Sequence, residues 1–74
     1  MENINIDIGI KIQQLRLAHG LSQQALATRV KKSKNLIAAY EKGKVSVSMV
    51  MIKQICDALG EDPYEFINGL ELND

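Results

Sequence analysis

Apolar side chains recur at helical spacing along most of this chain, and glycine, serine and proline residues divide the pattern into five segments. The first segment is predicted from about Asp7, which can cap its N-terminus, to His19. Gly20 follows directly, as is typical of a helix end. The inward face of this segment carries Ile8, Ile12 and Leu15. The pattern predicts an all-helical fold.

Two short helices follow, each predicted to begin after a serine. Ser22 caps the second segment, and Ser33 caps a third that ends at Gly43. The linker of residues 30–32 is too short to separate them, so we expect the two helices to cross at a steep angle. Their inward-facing residues are Leu26, Ala27, Ile37 and Tyr40.

The fourth and fifth helices complete the predicted fold. Ser48 caps the fourth, Gly60 ends it, and Pro63 lies in the first turn of the fifth. The fourth carries one apolar stripe, made of Met49, Ile52, Ile55, Cys56 and Leu59, and the fifth carries Tyr64, Phe66 and Ile67. Cys56 lies inside the stripe, which predicts a structural core thiol rather than a reactive one.

The 74 residues are enough for one domain, with a core expected from about 7 to 68 and a frayed tail from 69 to 74. A chain this short buries only about 60% of its unfolded surface, so a second copy is a plausible stabilising partner.

Charge is separated along the chain although the net charge is zero. Six bases and one acid lie in residues 29–44, whereas no base follows Lys53 in the acidic last third. This distribution fits either a solvated surface or a phosphate-binding region, and the spacing of the motifs has to decide.

Several functional classes are disfavoured by composition. One cysteine excludes an internal disulfide and a multi-cysteine zinc site, and no apolar run approaches the ~20 residues that span a bilayer. His19 is the only histidine, and no phosphate loop, metal-ligand cluster or nucleophile motif accompanies it. We expect a cytoplasmic protein that is not an enzyme, with no cofactor, metal, small-molecule ligand or membrane partner.

Two short helices joined by a tight turn, the second starting with polar and basic residues, can place one helix end-on in a DNA major groove about 12 Å wide. Such a helix, held by its apolar back, presents its N-terminal residues to base edges.

An ordered set of residues with short gaps resembles the helix-turn-helix regulators of the Cro and phage-repressor (Xre-like) type, including restriction-modification controllers. The matching stretches are Ile8-Gly9 through Leu15-Arg16, Gly20-Leu21-Ser22-Gln23 with Leu26-Ala27, Ser33 with Ile37, Glu41 and Gly43, and Ser48 with Ile52, Ile55 and Ala58-Leu59-Gly60. The resemblance implies a compact five-helix, lambda-repressor-like DNA-binding domain.

The resemblance also implies roles for individual residues. Lys34 and Asn35 match the first base-reading positions, where asparagine can bond adenine and lysine guanine. Ala38 and Ala39 lie one turn further along, where they can touch a thymine methyl group or allow close approach. Phosphate contacts are expected from Gln23, Lys31, Lys32, Ser33, Lys42 and Lys44.

Arg16 and Glu41 occupy positions that form a largely buried ion pair in the family; the alternative is two independent surface charges. The turn departs from the family pattern, because Lys31 and Lys32 replace a glycine and an apolar residue. Lys31 is therefore expected to adopt a left-handed conformation at roughly 1 kcal/mol.

A single reading helix covers too few base pairs for genomic specificity, so we expect a homodimer on a near-palindromic operator in double-stranded DNA. A two-fold interface is predicted from residues lying off the core stripe and in the tail: Val45, Val47, Val50, Met51, Phe66 and Leu70. The alternative is that these residues fold over the small core of one chain.

One other function fits the same fold: a protein-binding module of antitoxin or adaptor type that reads little or no DNA. The alanines at positions 38 and 39 and the zero net charge favour it, whereas the lysines around the turn favour DNA.

Overall fold

The computed structural model describes residues 4–70, which form five α-helices and no strand. The helices are α1 (Ile4–Ala18), α2 (Gln23–Arg29), α3 (Lys34–Glu41), α4 (Met49–Leu59) and α5 (Pro63–Asn68). The predicted all-helical class is confirmed. None of these helices is both long and apolar enough to cross a membrane.

α1 begins before the predicted cap. Asp7 lies in its first turn, where a carboxylate favours the positive end of the helix, and the added residues contact the loop between α3 and α4. The side-chain amide of Asn5 donates to the hydroxyl of Ser46 at 3.3 Å. A Cβ on Gly43 would lie 2.7 Å from Cγ1 of Ile6, and Gly43 also has a left-handed φ of 71°. These tertiary contacts fix the start of the helix.

Serine caps begin three of the helices, as predicted. The hydroxyl oxygens of Ser22, Ser33 and Ser48 accept hydrogen bonds of 3.0 to 3.1 Å from backbone N–H groups three residues ahead. Asp62 caps α5 by accepting from the N–H of Tyr64 at 2.8 Å. Each cap satisfies an otherwise unpaired donor and is worth about 1 kcal/mol.

The core is one cluster to which all five helices contribute. Its fully buried side chains are Ile12, Leu26, Ile37, Ile55 and Cys56. Burial raises the pKa of the Cys56 thiol, and the carboxylates of Glu61, Asp57 and Asp62 raise this pKa further. The thiol is therefore held protonated at neutral pH, which agrees with its predicted structural role.

Two predictions for α4 were wrong. Met49, assigned to the apolar stripe, is 62% exposed, whereas Met51, placed off the stripe, is 4% exposed. Both errors have the same cause: the stripe of α4 is centred between Met51 and Ile52, so Met49 in the first turn projects past the edge of the core.

The C-terminal segment is partly described. Leu70 is half-buried against the core, and its N–H donates to the carbonyl oxygen of Ile67 at 3.1 Å. Residues 71–74 of the tail that was expected to fray lie outside the described residues.

Candidate nucleic-acid interface

The turn between α2 and α3 is closed by backbone hydrogen bonds. The N–H of Lys32 donates to the carbonyl oxygen of Ala27 at 2.9 Å, and that of Lys31 to Thr28 at 3.3 Å. Lys31 has a φ of 58°, the left-handed value expected from the sequence, and is the only non-glycine residue with positive φ among residues 4–70. The left-handed turn directs the chain into the cap of α3.

α3 separates its residues into two faces. The buried face, formed by Ile37, Tyr40 and Glu41, packs on α1 and α2. Lys34 and Asn35 in the first turn are exposed, while Ala38 and Ala39 are half-buried. The N-terminal end of α3 therefore exposes two polar side chains to solvent. The next turn carries only alanines on this side, so no long side chain projects from its outer surface.

Arg16 and Glu41 form the ion pair that was expected to join α1 to α3. Nε and Nη2 of Arg16 donate to the two carboxylate oxygens of Glu41 at 2.6 and 3.0 Å, and Nη1 donates to the carbonyl oxygen of Leu21 at 2.7 Å. Both side chains are buried. The hydrogen bond with Glu41 raises the pKa of Arg16 despite the opposing effect of burial. The pair fixes α3 relative to α1.

Gln23 extends this network to α2. Its side-chain amide donates to Oε1 of Glu41 at 3.1 Å, and Gln23 is half-buried. One carboxylate on α3 thus binds side chains from α1 and α2.

Gly9 allows α1 and α3 to approach closely. A Cβ at this position would overlap the carbonyl oxygen of Tyr40 and lie 2.9 Å from that of Glu41. Only glycine fits here, because any side chain would push α3 away from α1.

The other residues expected to contact phosphate are exposed: Lys31, Lys32, Ser33, Lys42 and Lys44. They precede and follow α3, so the helix that presents Lys34 and Asn35 has free cationic side chains at both ends. No group of side chains among residues 4–70 is arranged to hold a metal ion.

The residues predicted for the dimer interface divide into two groups. Val45 and Val50 are exposed, at 38% and 67%. Val47 and Met51, which were also predicted for this interface, are buried in the single chain, because both complete the small core. Phe66, assigned to the same interface, is buried as well.

An open apolar groove between α4 and α5 was not predicted. Its exposed apolar side chains are Met49, Val50 and Tyr64, and Lys53, Asp57 and Asp62 also line it. The only signal in the sequence was Tyr64 beside Pro63, which by itself does not reveal that α5 lies next to the first turn of α4.

A second unpredicted contact is the pair of His19 and Glu61. Nε2 of His19 lies 2.9 Å from a carboxylate oxygen of Glu61, and both side chains are about one-third exposed. The pair links the end of α1 to the loop before α5. Forty-two residues separate the partners, so local spacing gave no sign of it.

Comparisons with known proteins agree with this geometry. A profile of the family described as "Helix-turn-helix" matches residues 12–66. An HTH-type transcriptional regulator of Rickettsia conorii is 37% identical over 71 residues, which cover 96% of this chain and 57% of that protein. Another, from Methanothermobacter thermautotrophicus, is 39% identical over 56 residues, covering 76% of this chain and 81% of its own length. This chain therefore spans little more than half of the Rickettsia relative.

A solved structure is similar along nearly its whole length. The restriction-modification controller protein C.AhdI from Aeromonas hydrophila superposes with a TM-score of 0.82 at 31% identity, covering 88% of this chain and 98% of the controller.

The two short helices packed against each other, the short turn between them and the exposed first turn of α3 define a helix-turn-helix fold of the DNA-binding class. The chain belongs to the Xre-like helix-turn-helix family of transcriptional regulators. This is a family of DNA-binding regulators.

Proposed function

We propose that this protein regulates transcription in the cytoplasm by binding a near-palindromic operator as a homodimer, with the first turn of α3 in the major groove. The observation that carries the proposal is the way α3 is held. Its back is fixed by the buried Arg16–Glu41 pair and the close contact at Gly9, while Lys34 and Asn35 remain free. A rigid helix with exposed polar residues at its N-terminal end is suited to reading base edges.

Base-specific contacts come from few side chains in this proposal. Asn35 can bond adenine through both groups of its amide, and Lys34 can donate to guanine. Ala38 and Ala39 offer only methyl groups to the groove, so they contact thymine methyl groups or let the helix sit deeper. The protein accordingly depends also on phosphate contacts and on DNA shape.

Phosphate contacts surround the reading helix. Lys31, Lys32 and Ser33 precede it, and Lys42 and Lys44 follow it. Gln23 uses one amide N–H to bind Glu41 and has a second N–H with which to bind a phosphate oxygen. This arrangement links a contact with the DNA backbone directly to Glu41, the residue that fixes α3.

The homodimer interface is proposed on the α4–α5 side of the molecule. Met49, Val50 and Tyr64 form its exposed apolar part, and Val45 extends it at the loop before α4. Lys53 and Asp62 give the groove charges of both signs, so the surface can complement its own copy. Of the remaining residues predicted for the interface, Val47, Met51 and Phe66 are buried in the core of the single chain, and Leu70 is half-buried against it. The two copies of α3 would then lie about 34 Å apart.

The biological role we propose is that of a restriction-modification controller or a compact phage-type repressor. Similarity to C.AhdI over 98% of that controller's length supports the first of these. No separate ligand domain is needed for either role, because control can come from the concentration of the dimer.

Selection of bound sequences from a random DNA pool tests the proposal. The expected product is a near-palindrome whose half-sites are one helical turn apart. The affinity of the protein for this sequence should fall with rising salt concentration, at a log-log slope of about −0.9 for each phosphate contacted. No enrichment, together with no binding to random DNA at low salt, would contradict the proposal and favour a protein-binding module.

A further inference from the structure

The loop of residues 42–48 connects α3, which is proposed to read DNA, to α4, which carries the proposed dimer interface. α3 packs on α1 and α2, whereas α4 packs mainly on α5 and only sparingly on α1 and α2. The placement of α4 relative to α3 therefore depends on this loop and on α1. In a dimer joined through α4, that placement fixes the distance and the angle between the two reading helices.

Side chains, and not backbone pairing, hold the part of the loop that leads into α4. At the start of the loop, the N–H groups of residues 43 and 44 donate to carbonyl oxygens in the last turn of α3, at 3.1 and 3.0 Å. Within residues 4–70, the backbone of residues 45–47 forms no hydrogen bond with another backbone group. Val47 is instead buried in the core, and the side chain of Ser46 is hydrogen-bonded to α1.

The first turn of α1 contacts the loop at two points. The side-chain amide of Asn5 donates to Oγ of Ser46 at 3.3 Å, two residues before Ser48, the cap of α4. Ile6 occupies the space beside Gly43, where a Cβ would lie 2.7 Å from Cγ1 of Ile6. The hydrogen bond of Asn5 therefore ties the segment before α4 to the beginning of α1.

α1 continues this connection to the reading helix. Arg16, about three turns further along α1, binds Glu41 of α3 through two hydrogen bonds. Met49 and Val50, in the first turn of α4, are exposed apolar side chains of the proposed dimer interface. One helix is thus bonded near its end to the helix that reads DNA, and at its beginning to the segment that leads into the dimer interface.

We propose that the hydrogen bond between Asn5 and Ser46 is a positioning contact that restricts the dimer to one spacing of the operator half-sites. This role rests on the proposed binding of an operator by a dimer joined through α4. Adding one base pair between the half-sites moves one of them by about 3.4 Å along the DNA and turns it by about 34°. To follow this change, α3 has to shift relative to α4, and the bond between the loop and α1 is lost in each subunit.

The size of the effect follows from the strength of one hydrogen bond near the surface. Such a bond favours the bonded state by about threefold, and a dimer contains two of them. A change of half-site spacing should therefore cost the unaltered protein about tenfold more affinity than it costs a protein that lacks the bond.

Operators with one base pair added to or removed from the centre of the selected palindrome test the proposal. The spacing penalty is the Kd on the altered operator divided by the Kd on the selected one, both measured by fluorescence anisotropy. Asn5→Ala and Ser46→Ala should each reduce this penalty about tenfold, and the double variant should reduce it no further. Ser46→Thr keeps the hydroxyl and should keep the penalty. The control Gln14→Ala, which removes an exposed amide from the same helix, should also keep it.

Urea melts of the same variants test the bond without DNA. If the bond forms in solution, the double variant should unfold with an equilibrium constant about threefold smaller than the two single variants predict together. Losses of stability that add in full would overturn the proposal, because the two side chains would then act independently.

Two results on DNA would also overturn the proposal. The first is an equal spacing penalty in Asn5→Ala and the unaltered protein. The second is weaker binding of Ser46→Ala at every spacing with an unchanged penalty, which would show that the hydroxyl contacts DNA directly. Failure of the unaltered protein to bind any of these operators would contradict the proposed function instead, and the melts would still decide whether the bond forms.

Discussion

Arg16 on α1 and Glu41 on α3 share two side-chain hydrogen bonds of 2.6 and 3.0 Å in a buried position. Removing one partner leaves the other charge buried without its counter-ion. We expect Arg16→Ala to lower the free energy of unfolding by about 3–5 kcal/mol. Urea denaturation of the variant and the unaltered protein measures this difference.

The apolar double variant Arg16→Met/Glu41→Leu is the control for that experiment. It removes both charges while keeping most of the volume, so it should be less destabilised than Arg16→Ala. A loss below about 0.5 kcal/mol in Arg16→Ala would show that the pair behaves as two surface charges.

Gly9→Ala should destabilise the protein through steric overlap. The added methyl group meets the carbonyl oxygens of Tyr40 and Glu41, and neither backbone atom can move without shifting α3. We expect a loss of roughly 3 kcal/mol by thermal or urea melting. Gly60→Ala is the comparison, because its Cβ would meet open space and only its φ of 69° is unfavourable, at about 1 kcal/mol. Equal losses would contradict the close approach of α1 and α3.

Lys31→Gly should separate stability from DNA binding. Glycine relieves the left-handed strain of about 1–2 kcal/mol but loses more entropy on folding, so a net gain of about 0.5 kcal/mol is expected. If Lys31 contacts a phosphate, loss of that contact should reduce the log-log slope of affinity against salt concentration by about 0.9. Lys32→Gly serves as the control, since Lys32 has no positive φ to relieve and the change should only destabilise.

Asn35→Ala and Lys42→Ala should affect DNA binding differently. Loss of a base contact by Asn35→Ala should reduce discrimination at one base pair of the selected operator by about 1–3 kcal/mol. Lys42→Ala should weaken binding to all sequences and reduce the salt slope by about 0.9. Fluorescence anisotropy with single-substitution operators measures both effects. If Asn35→Ala discriminates between bases as well as the unaltered protein does, Asn35 does not read a base.

Val50→Lys should dissociate the proposed homodimer. Val50 is 67% exposed in the α4–α5 groove, so a lysine there is tolerated in the single chain but opposes apolar pairing. Sedimentation at micromolar concentration should show a dimer for the unaltered protein and a monomer for the variant. Gln54→Lys, on α4 and exposed, is the matched control. A dimer that persists in Val50→Lys would place the interface elsewhere.

Local sequence patterns predicted the helix starts that depend only on residues close by in the sequence. Ser22, Ser33 and Ser48 were identified as caps because each bonds a backbone N–H only three residues away. The left-handed Lys31 was instead predicted from the resemblance, because the family has a glycine at that place in the turn. The start of α1 was missed, because Ile6 and Asn5 are held by contacts with Gly43 and Ser46 across the fold.

The tertiary structure was also needed to tell which apolar residues near the end of a helix are buried. Met49 and Met51 both satisfy an apolar pattern, and only the rotation of α4 about its own axis relative to the core decides which of them is covered. Long-range polar pairs show the same limit: the resemblance implied the pair of Arg16 and Glu41, whereas nothing in the sequence indicated His19 with Glu61.

The sequence by itself determined the helical class, the caps, the turn and the identity of the side chains at the start of α3, because these depend on periodicity and on residues within one turn of each other. Only the tertiary structure decided which apolar side chains remain exposed. That outcome depends on how helices distant in sequence pack, and it separated Val50 from Met51 and created the α4–α5 groove.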